Sequence, residues 1–303
     1  MVQFLSGYVM YTFSSIVVYI ALATLLHLQF GVTGIVNFGV VGFFGLGMYA
    51  FGVFLIQYHI PYIIAMLLAT VLTGVVALGL GRVILQLDSQ SILVATLAIA
   101  TVVEDLATSE KWLTKGVIGL GTVPFPFDLG PYSQVAYFLL ALVLTILIVI
   151  YAYRVESSPY GRLLLSIRDN EPLAQSLGKS TSRQKLFFFA ITSALMGLFG
   201  TLHASNVHFL VPRMVSPGVT FTVWIALILG GRKKVLGGLI GTLATIGLFD
   251  FVIETFVPIP ASAQSQLMPV IKLWIYGLAL MLVLMYRPSG ILGEKKLRGD
   301  KRG

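Results

Sequence analysis

The chain alternates long apolar runs with short polar connections. Most of the apolar runs are about 18–22 residues long, the length that an α-helix needs to cross a hydrocarbon layer. They lack the strict apolar and polar alternation of barrel strands. The pattern therefore predicts an all-α, polytopic transmembrane helical bundle of about 8–10 spans. The predicted spans lie near residues 7–28, 38–57, 60–81, 91–108, 132–153, 186–205, 219–230, 237–256 and 267–286.

Two of these runs carry extra information. The run at 219–230 is too short to cross alone, so it is tilted, extended into neighbouring sequence or partly re-entrant. The N-terminal run has no Lys or Arg before it and no small-residue cleavage pattern after it. We therefore expect a retained first span rather than a signal peptide.

Composition supports a membrane protein. Of the 303 residues, 57% are hydrophobic and only 11% are charged, which is more apolar surface than one water-soluble core can hide. The chain has no cysteine, and its histidines show no metal-ligand spacing with carboxylates. We therefore expect no metal site and no cofactor. We also expect no catalytic residue, because the spans show no nucleophile placed with a base.

The loop charges predict the orientation of the spans. With the N-terminus outside and the C-terminus in the cytoplasm, all but four of the 20 Lys and Arg residues lie at inner loops or the tail, as the positive-inside rule requires. The net charge of +8 then reflects topology and gives no reason to expect a nucleic-acid partner. The four exceptions are Lys111, Lys115, Arg213 and Lys272.

The longest inner loop, residues 154–185, contains the signals of a short helix. Asn170 can cap a helix start, Glu171 and Pro172 suit its first turn, and Gly178 suits a left-handed stop. The predicted helix has about two turns, which is marginal in water without a surface to pack against.

One face of this short helix is apolar. Leu173, Ala174 and Leu177 are spaced i, i+1 and i+4 and are predicted to share that face. It could lie on the membrane surface or pack on neighbouring inner loops, or it could dock into a partner protein. The spacing leaves both interpretations open.

The stretch GRLLLSIRDNEPLAQSLGKS, followed by KLFFFAITSALMGLFGTLHA, resembles the cytoplasmic coupling loop of a permease family. This family supplies the permease subunits of ATP-binding-cassette (ABC) importers for branched-chain and other hydrophobic amino acids. The glycine-rich segment 31–50, LILGG at 227–231 and MYRPSGILG at 285–293 resemble further parts of it. Thr101 stands where many members carry a glutamate. The matching loop positions are Gly161, Arg162, Ile167, Arg168, Asn170, Glu171, Ala174, Leu177 and Gly178.

The resemblance implies a permease subunit in a bacterial or archaeal cell (inner) membrane, with 1–303 as a single transmembrane domain. It implies a second permease subunit, more readily a related chain than a copy, two cytosolic ATP-binding subunits, an extracytoplasmic solute-binding protein and surrounding membrane lipid. The solute would be a hydrophobic or neutral amino acid, with urea, short amides or sugars, or an independent secondary transporter, as alternatives. The loop would dock on the ATPase through Arg168, Asn170, Glu171, Leu173, Ala174, Leu177 and Gly178.

The chain itself is not expected to bind ATP. Gly178, Lys179 and Ser180 imitate the end of a phosphate-binding loop, but the position that requires the first glycine is Leu173. ATP hydrolysis would therefore belong to the partner subunits.

Glycines recur every three residues in parts of 31–47. Such spacing either lets another helix approach closely or marks a broken span whose backbone meets a ligand. Asn37 either bonds another helix or lines the passage between two permease subunits. The candidate translocation path comprises Thr33, Asn37, Gly39, Thr96 and Thr101.

A second candidate feature lies near the outer ends of the last spans. Asp250 and Glu254 are i and i+4 on one span, so they share a face, and Lys272 enters the next span at a similar depth. A lone charge there is expensive, so an ion pair is expected. It either pins two helices or gates the passage. The basic tail, residues 287–303, follows in the cytoplasm.

Overall fold

The computed structural model describes residues 2–232, 234–249, 267, 270–271, 274–278, 281–282, 285–286 and 290–292. The end of the eighth predicted span, part of the ninth and nearly all of the basic tail lie outside these residues. The predicted ion pair of Asp250, Glu254 and Lys272 also lies outside them.

Helices form the described part of the chain, as predicted. Within it, six helices are long and apolar enough to cross a membrane, and Val40–Ile56 and Val235–Gly247 are shorter apolar helices. The helices are α1 (Val2–His27), α2 (Val40–Ile56), α3 (Tyr62–Ile84), α4 (Ser89–Ser109), α5 (Lys111–Thr114), α6 (Ser133–Ser157), α7 (Pro159–Asp169), α8 (Glu171–Ser176), α9 (Thr181–Val207), α10 (Pro217–Gly230) and α11 (Val235–Thr242).

Local signals set several helix ends. Asp88 caps α4 by accepting hydrogen bonds from the backbone N–H groups of Gln90 at 3.1 Å and Ser91 at 3.2 Å. The Ser91 hydroxyl also bonds this carboxyl and holds its pKa below the usual range. Pro61 precedes α3 and sets its start. The seventh predicted span corresponds to α10, which a 3₁₀ turn at Pro212–Val215 precedes.

The centre of the bundle is α9, which packs on α1, α2 and α3. A Cβ atom on Gly47 of α2 would clash with the backbone of Gly197 in α9, and one on Gly200 of α9 would clash with the backbone of Phe44. These glycines let the two helices approach at backbone distance, since a side chain at either position would force them apart. The predicted close packing by glycine is thus present here.

Candidate functional site

The chain leaves regular helical geometry between α1 and α2. A π-helical turn at Leu28–Val32 follows α1, residues 33–39 are not helical, and α2 begins at Val40. We call Leu28–Val32 the π turn and residues 33–39 the break. Gly34 lies in the break with a φ of 75°, a conformation that glycine adopts without strain. The glycine-rich segment therefore includes a non-helical connection, and in α2 it provides the close packing that its spacing allowed.

Buried side chains hold the break in place. The Gln29 side-chain amide donates to the hydroxyls of Thr192 at 2.8 Å and Ser193 at 3.2 Å, both on α9. The Gln29 Oε1 atom accepts from Nδ2 of Asn37 at 2.7 Å, and Asn37 Oδ1 accepts from the backbone N–H of Gly39 at 2.7 Å. These bonds connect the π turn, the break and α9.

Two further helices supply partners to the backbone of the break. The N–H of Phe38 donates to the Thr96 hydroxyl on α4 at 2.9 Å. The Trp224 indole N–H on α10 donates to the carbonyl of Asn37 at 2.9 Å. Irregular backbone inside a membrane is stable only where protein or water satisfies its polar groups, and here protein side chains do so.

The structure brings together four of the five predicted path residues. Thr33, Asn37, Gly39 and Thr96 meet at the break and are buried. Thr101 does not join them, because it lies on an exposed face of α4 and its hydroxyl bonds the Ala98 carbonyl of its own helix at 2.8 Å. Thr101 therefore lies apart from the other four in this subunit.

An aromatic column covers the break and was missed in the sequence. The Phe38 ring stacks on Trp224 with the centroids 4.6 Å apart, and Phe30 meets Trp224 edge-on at 4.9 Å. Phe221, which is 40% exposed, meets Phe38 edge-on at 5.7 Å and carries the column to the surface. The signal was the tryptophan itself, because a buried indole N–H needs an acceptor and a broken helix offers free carbonyls.

The inner loop forms two helices rather than the single one predicted. The unpredicted helix α7 is amphipathic and buries Leu164 and Ile167 against the bundle, after a Ser158 cap that accepts from the Gly161 N–H at 2.9 Å. The second, α8, matches the prediction: Asn170 Oδ1 caps it by accepting from the Leu173 N–H at 3.1 Å. Gly178 follows it with a φ of 76°.

The predicted apolar face of α8 is only partly right. Leu173 and Leu177 are 56% and 71% exposed, but Ala174 is 4% exposed. Ala174 is buried because α8 lies against the start of α9, where Glu171 pairs with Lys185. The expectation that Ala174 shares the outward face is therefore wrong, and Leu173 and Leu177 are the outward apolar residues.

The inner loop touches the π turn directly. Arg168, near the end of α7, donates a hydrogen bond from Nη1 to the carbonyl of Gly31. Nearby, the His27 ring bonds the Glu156 carboxylate at 2.9 Å through Nε2 and the Arg232 carbonyl at 3.1 Å through Nδ1. All of these partners lie at ends of helices that the charge pattern assigns to the inner side. Arg168, predicted as a docking residue, thus links the inner loop to the π turn that precedes the break.

Comparison with known proteins adds an independent observation. A family model described as "Branched-chain amino acid transport system / permease component" matches residues 8–285. A probable branched-chain amino acid transport permease protein LivM from Methanocaldococcus jannaschii is 23% identical over 245 residues, covering 77% of this chain and 69% of that protein. The high-affinity branched-chain amino acid transport system permease protein LivM of Salmonella typhimurium is 25% identical over 300 residues, covering 91% and 68%.

A different set of relatives covers less of the chain. The autoinducer 2 import system permease protein LsrC of Salmonella paratyphi B is 28% identical over 174 residues, covering 56% of this chain and 48% of that protein. No solved structure matches the chain.

Proposed function

Because the chain belongs to the family of permease components of branched-chain amino acid transport systems, we propose that it forms one half of the membrane passage of an ABC importer. The solute is a hydrophobic or neutral amino acid, with branched-chain amino acids foremost. The more extensive coverage by the branched-chain amino acid relatives favours this solute class over the one named for the autoinducer 2 relatives. The chain works in the membrane as a multi-pass subunit, and residues 1–303 act as one transmembrane domain.

The partners follow from the family and from what the inner loop offers. A related permease subunit completes the passage, two cytosolic ATP-binding subunits hydrolyse ATP, and an extracytoplasmic binding protein delivers the solute. The ATPase docks on Leu173 and Leu177, which are apolar and exposed beside the capped start of α8. Three residues shape this surface. Asn170 caps the start of α8, Glu171 holds α8 against α9 through its ion pair with Lys185, and Gly178 ends the turn that follows α8.

The observation that carries the proposal is the bond from Arg168 to Gly31. It joins the loop proposed to receive the ATPase to the π turn that leads into the break. Movement of α7 on ATPase closure then pulls on the backbone of the π turn, which also carries Gln29, the partner of Asn37. The break and its aromatic column respond as the part of the passage that opens.

Docking is tested with the double variant Leu173→Asp and Leu177→Asp. Both side chains are exposed in the subunit, so we expect normal membrane yield but loss of ATPase co-purification by about tenfold or more for each leucine, the value of burying such a side chain. Ala174→Asp is a poorer test, because it would place a charge inside the loop's own packing.

The matched control is Leu173→Met with Leu177→Met, which keeps the surface apolar and its volume nearly constant. It should retain the ATPase. Undiminished co-purification with the aspartate variant would exclude this docking surface, and equal loss in the methionine control would show that burial of apolar groups is not its basis.

A further inference from the structure

A groove of about 700 Å³ opens between the ends of α3 and α9 that the charge pattern places at the cytoplasmic surface. Its walls include the apolar residues Val75, Leu78 and Phe187, and Val75 and Phe187 are exposed. At its rim stand Arg82, near the end of α3, and Arg183, in the first turn of α9. The groove therefore combines apolar walls with two arginines at its rim. Neither the break nor the docking surface contributes residues to its lining.

The two arginines are available to a ligand. Both are exposed, and the ion pairs found among the described residues involve neither of them. The Arg183 guanidinium carbon lies 5.6 Å from the centroid of the Phe187 ring, which holds this charge over the apolar wall. Ser182 and Gln86 add polar groups at the same rim.

The groove extends along α3 far enough for part of a hydrocarbon chain. Its lining on α3 runs from Val75 to Arg82, a length of about 10 Å at the helical rise per residue, and Leu85 and Gln86 follow the helix. A Cβ atom built on Gly79, within this wall, would meet nothing within 4 Å. Open space next to Gly79 therefore lies beside the apolar side chains of Val75 and Leu78, which water solvates poorly.

We propose that this groove binds an anionic phospholipid of the inner leaflet. Arg82 and Arg183 hold the phosphate of the headgroup, because guanidinium groups form strong charge-assisted hydrogen bonds with phosphate oxygens. One acyl chain lies along Val75, Leu78 and Phe187. Basic pockets between membrane helices on the cytoplasmic side suit such headgroups in general, and this position places the lipid against α9, the helix that carries the partners of Gln29.

The test is native mass spectrometry of the purified, delipidated permease assembly titrated with phosphatidylglycerol or phosphatidylcholine. We expect preferential binding of phosphatidylglycerol. The double variant Arg82→Gln and Arg183→Gln should weaken it about thirtyfold, because each basic residue near an anionic lipid contributes a factor of about five. Arg154→Gln with Arg162→Gln removes the same charge from exposed inner positions and should leave binding unchanged.

A second variant separates a lipid from a free phosphate ion. Gly79→Leu fills the groove but keeps both arginines, so it should weaken phosphatidylglycerol binding and leave any binding of inorganic phosphate unaffected. Equal affinity for the two lipids, or equal loss in both arginine double variants, would overturn the proposal. So would unchanged lipid binding by Gly79→Leu. Loss of a protein subunit from the Arg82 and Arg183 variant with unchanged lipid binding would assign the rim to that subunit instead.

Discussion

Glycine serves three separate physical purposes at single positions in this chain. Gly47 brings α2 to backbone contact with α9, Gly34 allows the left-handed turn of the break, and Gly79 leaves space in the groove. The same residue type therefore has different tolerance to substitution at each place. Only the surroundings distinguish them, because the residue itself is identical.

Gly47→Ala tests the close approach. The added methyl group meets the Gly197 backbone, which cannot rotate away, so we expect a loss of about 1–3 kcal/mol from overpacking. Thermal unfolding of the detergent-purified protein would show a lower midpoint. Gly79→Ala is the matched control, since its methyl group enters open space and alanine favours a helix over glycine. Equal midpoints for the two variants would refute the packing role of Gly47.

At the scale of elements, the inner loop shows which features a sequence predicts. The cap at Asn170 and the stop at Gly178 depend on neighbouring backbone, so local residue types predicted both. The burial of Ala174 depends on where α9 lies, and the bond from Arg168 to Gly31 joins residues far apart in the chain. Neither follows from helical periodicity. Periodicity places Ala174 close to Leu173 on the helix, but it does not say which of the two side chains packs against the rest of the protein.

Arg168→Gln tests whether α7 transmits movement to the break. The shorter side chain is not expected to reach the Gly31 carbonyl, while Leu173 and Leu177 are unchanged. We expect normal ATPase co-purification but a fall in solute uptake per ATP hydrolysed in proteoliposomes. Arg162→Gln, on the same helix, removes a charge whose bond goes to the Ser157 carbonyl within the loop. If both variants keep wild-type coupling, the link has no mechanical role.

At the scale of the whole molecule, hydropathy predicted the course of the spans because each crossing needs a fixed length of apolar chain. The break was harder to predict. Glycine spacing fits both a packed helix and an interrupted one, and partners on α4, α9 and α10 select between them. Periodicity does not tell which face of α4 turns toward the break, and the structure places Thr96 there and Thr101 on an exposed face.

The orientation is tested with single cysteines, because the natural chain contains none. Ser166→Cys on α7 should react with a membrane-impermeant thiol reagent only after the membrane is opened. Asp128→Cys, in the connection between α4 and α6, should react in intact cells. Both positions are exposed in the subunit, so accessibility within the protein does not limit the reaction. The opposite labelling pattern would invert the topology and remove the basis for ATPase docking.

The hydrogen bonds of the break also have an electrical consequence. Gln29 bonds Asn37, Thr96 bonds the backbone of Phe38, and all three polar side chains are buried, so their polar groups are bonded to protein within this subunit. A charge that crosses a membrane releases about 2.3 kcal/mol per 100 mV, and a cell would lose that energy through any standing pore. In the passage that we propose, the closed hydrogen-bond network of the break would insulate the membrane between transport events.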